Sequence, residues 1–99
     1  MIVVRDIFQI EPDQMKLAKE LLKQEREIGK RLGHAVQRVL TDLTGEYYTL
    51  VMESEFNSLA EYETALKKVL ADPEWQRHYP QFRKLIRGGR REIFTVVVE

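Results

Sequence analysis

Two segments at opposite ends of the chain set the main constraint on its fold. "IVVRDIFQI" (residues 2–10) and "REIFTVVVE" (91–99) are rich in β-branched and aromatic residues, which favour extended backbone. Both carry apolar side chains on both alternating positions. In the first, Ile2, Val4, Phe8 and Ile10 share one parity and Val3 and Ile7 the other. In the second, Phe94, Val96 and Val98 stand against Ile93 and Val97. A sheet covered on one face alternates apolar and polar residues; these two strands predict a sheet that is apolar on both faces.

The intervening sequence supplies helices for one face. From Pro12 to Leu32, Leu17, Ala18, Leu21, Leu22, Ile28 and Leu32 recur at three- and four-residue steps, the mark of an amphipathic helix. Pro12 and Asp13 suit its first turn, and Gly33 its stop. "HAVQRVLTD" and "YYTLVMESEF" read as a second and third strand, joined through Gly45 as an antiparallel hairpin. Ser58 and Glu61 form a capping box ahead of a second helix bearing Leu59, Tyr62, Leu66, Val69 and Leu70. Asp72 and Pro73 open a further short helix, which Pro80 is expected to interrupt, and Gly88-Gly89 reads as a turn before the last strand. The order β-α-β-β-α-β over residues 1–99 predicts a single α+β domain, ferredoxin-like, with a four-stranded antiparallel sheet. Two helices cover only one face of such a sheet. A second copy of the chain is the simplest cover for the other, which predicts a homodimer joined through its sheet faces.

Composition narrows the function classes. The chain has 16 basic and 16 acidic residues, so no net charge draws it to nucleic acid or membranes. It has no cysteine, which excludes disulfides, thiolate metal sites and a cysteine nucleophile. The opening apolar run is short and broken by Arg5 and Asp6, unlike a signal peptide, and nothing approaches a membrane span. A cytoplasmic protein is the expectation. RNA-recognition domains share the strand–helix order, but "YYTLVMES" lacks their basic-glycine-aromatic stacking motif, so no nucleic-acid partner is expected. Two histidines without a carboxylate at ligand spacing make no metal site, and no glycine-rich loop precedes a helix.

The stretch "DPEWQRHYPQFRKLIRGGRR" (72–91) holds the only tryptophan and one of the two histidines. His78 reads either as a general base or ligand-binding group, or as a surface histidine paired with Glu74 one helical turn away. His34, after Gly33, suits a helix C-terminus as a partly protonated imidazole. Trp75, Tyr79 and Phe82, at steps of four and three, form either a ligand-stacking wall or an aromatic cluster sealing the end of the sheet. Tyr62 is a further pocket candidate. Tyr47 and Tyr48, as strand neighbours, point to opposite faces. The basic run from Arg77 to Arg91 reads as a solvated face balanced by nearby acids.

The chain as a whole, through its element order and the segment "LADPEWQRHYPQF", resembles the dimeric α+β barrel superfamily, which includes antibiotic-biosynthesis monooxygenase-like, heme-degrading and NIPSNAP-type domains. "DPEW" is most similar to the NIPSNAP type. The resemblance implies a barrel closed by two sheets across a dimer axis and a pocket between sheet and helices for an apolar or aromatic small molecule. It also implies, as an alternative, a cofactor-independent monooxygenase-like activity on aromatic substrates, with His78 or Asp6 as base and no cofactor. Heme-degrading members use an asparagine on the first strand, a tryptophan within the second long helix and a histidine soon after. This chain has Asp6 and Ala65 at the first two places, and Trp75 falls later.

Overall fold

The computed structural model describes residues 1–99. Its elements are β1 (Ile2–Ile10), α1 (Met15–Arg31), β2 (Arg38–Thr41), β3 (Thr49–Phe56), α2 (Leu59–Ala71), α3 (Pro73–Arg83) and β4 (Ile86–Thr95). The strands form one sheet in the order β2-β3-β1-β4, every neighbouring pair antiparallel. The two terminal segments thus lie near the centre and at one edge, and the α+β ferredoxin-like layout follows. No helix is long and apolar enough to cross a membrane.

Register assigns the faces, because directly opposed residues point the same way. Val4, Asp6, Phe8 and their partners Ser54, Met52 and Leu50 face the helices. Arg5 and Ile7, opposite Glu53 and Val51, face away. Between sheet and helices lie two buried clusters. One joins Ile10 and Leu50 to Ala18, Leu21 and Leu22 of α1 and Phe82 of α3. The other joins Val4 and Phe56 to Tyr62 and Ala65 of α2.

The face turned away from the helices differs from the sequence expectation. It is apolar at Ile7, Val51, Leu40 and Phe94, but a row of charges crosses it. Arg38 and Arg5 both bind Glu53, at 2.6 and 2.7 Å, and Arg90 binds Glu92 at 3.1 Å. Parity counted over single strands missed this row because it runs across strands, from β2 through β3 to β1.

Other boundaries move for local reasons. Pro12 and Asp13 precede α1, since Asp13 takes a left-handed φ of 67° and so stands outside the helix. Pro80 lies inside α3 rather than ending it. Only one backbone hydrogen bond is lost there, while Tyr79 and Phe82 beside it are anchored in the core. Tyr47 and Tyr48 sit in the β2–β3 loop, Tyr48 at φ 53°, with their rings 5.7 Å apart, so strand alternation does not apply to them. Gly88 and Gly89 lie within β4, opposite Gln9 and Phe8. A side chain at Gly89 would run into the carbonyl oxygen of Ile7, so glycine here permits close strand approach rather than a turn. The Ser58–Glu61 cap forms as expected: the Glu61 N–H donates to Ser58 Oγ at 3.2 Å.

Candidate functional site

A cavity of about 190 Å³ opens between the sheet and the three helices. Roughly 150 Å³ is enough to hold a benzene-sized molecule. The sheet contributes Asp6, Phe8, Met52 and Arg91; α1 contributes Leu22, Glu25, Arg26 and Gly29; α2 contributes Leu66, Val69 and Leu70; α3 contributes Trp75, Tyr79 and Phe82. His34 and Val36, between α1 and β2, complete it.

Local chemistry puts each wall in place. The N-cap Asp72 accepts from the Trp75 N–H at 3.0 Å, which starts α3 with Trp75 turned toward the cavity. That same hydrogen bond, followed by the Arg31 guanidinium, holds the Asp72 carboxyl below its usual range. One turn later Tyr79 stacks on Trp75, centroids 5.2 Å apart at 16°. Phe82 packs edge-on against Phe8 at 5.4 Å and is wholly buried. At the end of α1, Gly33 takes a φ of 86°, the Gly33 N–H donates to Lys30 and the His34 N–H returns to Gly29 at 2.8 Å. This is the paired-bond helix stop that a left-handed glycine allows. Gly29 is required for it, because a Cβ there would meet the His34 carbonyl oxygen at 2.8 Å.

The stop turns His34 inward. Its ring lies 5.3 Å from Phe56 and 6.0 Å from Tyr62, and burial pushes its pKa down, so it is held neutral. It is therefore a cavity-wall group and not the charged partner of a helix terminus. Beside the same Tyr62 ring, Arg91 donates to Asp6 at 2.6 Å and rests over the ring face. Arg91 thus leaves the solvated basic face where the sequence placed it: its register opposite Asp6 turns it inward.

Of the residues singled out from sequence, Asp6, Trp75, Tyr79 and Phe82 line the cavity. Tyr62 is buried beside it, in the cluster with Phe56. His78 does not line it. Its Nε2 donates to Gln24, and its Nδ1 lies 3.7 Å from Glu25 Oε1; Glu74 pairs with Arg31 instead. Trp75 is half-buried, while Tyr79 and Phe82 carry the seal between helix and sheet.

Glu25 was not anticipated. It lies on the buried stripe of α1 with Ala18, Leu21, Leu22 and Ile28, and only 3% of its side chain is exposed. Burial raises its pKa from an ordinary 4.5 to about 8. A signal was present in the sequence: position 25 continues the i, i+3, i+4 apolar pattern, and a glutamate there breaks it.

An α+β ferredoxin-like fold with a lined cavity under its helices is the class defined by these features. The NIPSNAP family model matches residues 6–98, and the chain belongs to that family. Solved structures share its architecture. An uncharacterised NIPSNAP domain protein from Burkholderia xenovorans is 14% identical, with a TM-score of 0.91 over 98% of this chain and 95% of that one. A NIPSNAP family protein from Agrobacterium tumefaciens strain C58 is 20% identical, also at 0.91, covering 97% and 92%. SnoaB, a cofactor-independent oxygenase from Streptomyces nogalater, is 13% identical at 0.69, covering 99% and 94%. At these identities the likeness is one of fold. No curated protein matches the chain.

Proposed function

We propose that the protein binds a small apolar or aromatic molecule between its sheet and helices, as a homodimer whose second copy covers the outer sheet face. The observation that carries the reading is the cavity with Trp75, Tyr79 and Phe82 on one wall. Aromatic walls with few polar groups are the usual make-up of small-molecule sites. The homodimer is supported by Leu40 and Phe94, both more than a third exposed on the outer face. The absence of cysteine is in keeping with a reducing, cytoplasmic setting.

Trp75 is the only tryptophan, so its fluorescence reports the cavity directly. Nitrobenzene, an aromatic that quenches indole emission on contact, should quench it saturably and raise the melting temperature. Linear, non-saturating quenching with no thermal shift would remove the pocket. Sedimentation equilibrium at micromolar concentration should give twice the chain mass, and Leu40→Lys should split the dimer; a stable monomer of the native chain would sink that part.

The second reading is a cofactor-independent monooxygenase acting on aromatic substrates, a possibility raised by the fold shared with SnoaB. It needs a base at the cavity wall. Asp6 is there but tied to Arg91, and His78 reaches the cavity only by way of Glu25. Oxygen uptake with anthrols and quinols, without added metal or flavin, tests it. Uptake that survives both Asp6→Asn and His78→Ala would exclude these two as the base.

A further inference from the structure

Resting on the pocket reading, we propose that Glu25, backed by His78, is the hydrogen-bonding station of the cavity, and that its ligand is a planar aromatic carrying a neutral hydroxyl. Glu25 is not needed for packing. The stripe it interrupts is otherwise aliphatic, and a leucine would continue it. Yet Glu25 Oε1 and His78 Nδ1 are both buried without a hydrogen-bond partner. Buried polar atoms are nearly always paired, so these two orphans, Glu25 on the cavity wall and His78 3.7 Å behind it, mark a polar station where the packing would otherwise be apolar.

The protons can be placed. The Gln24 amide oxygen only accepts, so His78 Nε2 carries the hydrogen and Nδ1 presents a lone pair. At 3.7 Å the two atoms are too far apart to be bonded, but a small rotation of a neutral Glu25 lets it donate its own O–H to that lone pair and accept a ligand O–H on its other oxygen. No charge is then buried. The raised pKa of Glu25 agrees with a proton retained at neutral pH.

Neighbouring charges exclude the alternatives. Arg91 is committed to Asp6, and Arg26 donates to the Val36 carbonyl at 3.2 Å. No uncommitted cation lines the cavity to receive a carboxylate or phosphate. The parallel Trp75–Tyr79 pair offers a flat wall for a planar ring.

The test compares 2-naphthol, 2-methoxynaphthalene and 2-naphthoate by isothermal titration calorimetry. The native protein should bind the naphthol about tenfold or more tighter than its methyl ether, because a site built for a hydroxyl rejects the analogue that lacks it. The naphthoate should bind most weakly. Glu25→Leu should erase the preference, bringing naphthol and ether to about equal affinity. Glu25→Gln, which keeps an accepting carbonyl, should retain most of it. Equal binding of naphthol and ether by the native protein would overturn the assignment while leaving the pocket intact. A preference that survives Glu25→Leu would do the same. Binding of none of the three would remove the pocket and this proposal together. Infrared spectroscopy of the native protein decides independently of whether the leucine variant folds. The Glu25 carboxylic-acid band should be present at neutral pH and shift with the naphthol but not with the ether; an unmoved band counts against the assignment.

Discussion

Glu25 and Glu53 are the same residue, withdrawn from water to nearly the same degree, 4% and 5% exposed, on opposite faces of the sheet. Their environments differ in depth and in partners: Glu25 lies under the helices, whereas Glu53 is covered on the open sheet face by two partly exposed arginines. Glu53 receives Arg38 at 2.6 Å and Arg5 at 2.7 Å, and these hydrogen bonds, Arg38's foremost, hold its carboxyl below the usual range. Glu25 meets no guanidinium, and burial alone pushes it up to about 8. Burial favours the proton where no cation answers it, and guanidinium partners keep the carboxylate charged where they are present. The outer glutamate is a satisfied strut joining β1, β2 and β3. The inner one is an unmet demand facing a cavity, and unmet demands mark candidate sites.

The sharpest way to separate the two is pH. A carboxyl at 4.5 in the unfolded chain and about 8 in the folded one binds its proton more tightly when folded. Its neutral form costs nothing below 4.5. As pH rises from there toward 8, the unfolded chain ionises first, and stability falls by an amount on the order of 5 kcal/mol. Above about 8 the loss is complete. Glu25→Gln should remove this slope, because the amide does not titrate. His78, Tyr79, Asp6 and Arg91 surround the same space and are unchanged in the variant. Guanidinium unfolding at stepped pH should give curves that cross: the native chain more stable near pH 4.5, the variant more stable near pH 9. Parallel curves would show that Glu25 titrates normally.

The converse change should turn Glu53 into a second Glu25. Replacing both Arg5 and Arg38 with methionine leaves the Glu53 carboxylate without a cation, a loss of about 2 kcal/mol, because the two guanidinium groups are partly exposed and solvent screens both pairs. Either single replacement should cost less than half of that, since the other arginine stays. Carbon-13 NMR of labelled glutamate should show the Glu53 carboxyl titrating above 4.5 in the double variant. A double variant as stable as the native chain would mean that the row of charges is only a solvated surface.

The contrast also separates what sequence could and could not reveal. Element order and both helix caps were readable, because β-branched runs, Ser58–Glu61 and Asp72–Pro73 act through neighbours a few residues away. The row Arg38–Glu53–Arg5 was not, since it depends on the register between three strands. Asp6 and the aromatic residues of α3 could be suspected from type and spacing. Arg91 and His34 could not be placed: a register match turns one inward, and a glycine-dependent helix stop turns the other. Pro80 misled because a proline inside a helix costs a finite amount, which anchored neighbours can outweigh.

Asp6 lies between the two extremes and gives the smallest effect. It lines the cavity like Glu25, but it holds a cation as Glu53 does, Arg91 at 2.6 Å. Arg91 is about half exposed, 47%, so solvent screens much of the attraction and can rehydrate the guanidinium if the partner is lost. Asp6→Asn keeps the shape and one accepting oxygen, and it should cost only about 1 kcal/mol in low salt and less in high salt. Urea unfolding at the two salt concentrations measures this. A loss above about 3 kcal/mol, insensitive to salt, would mean that the pair is closed off from water. The cavity would then carry a buried ion pair as part of its wall, which a charged group on a ligand could join.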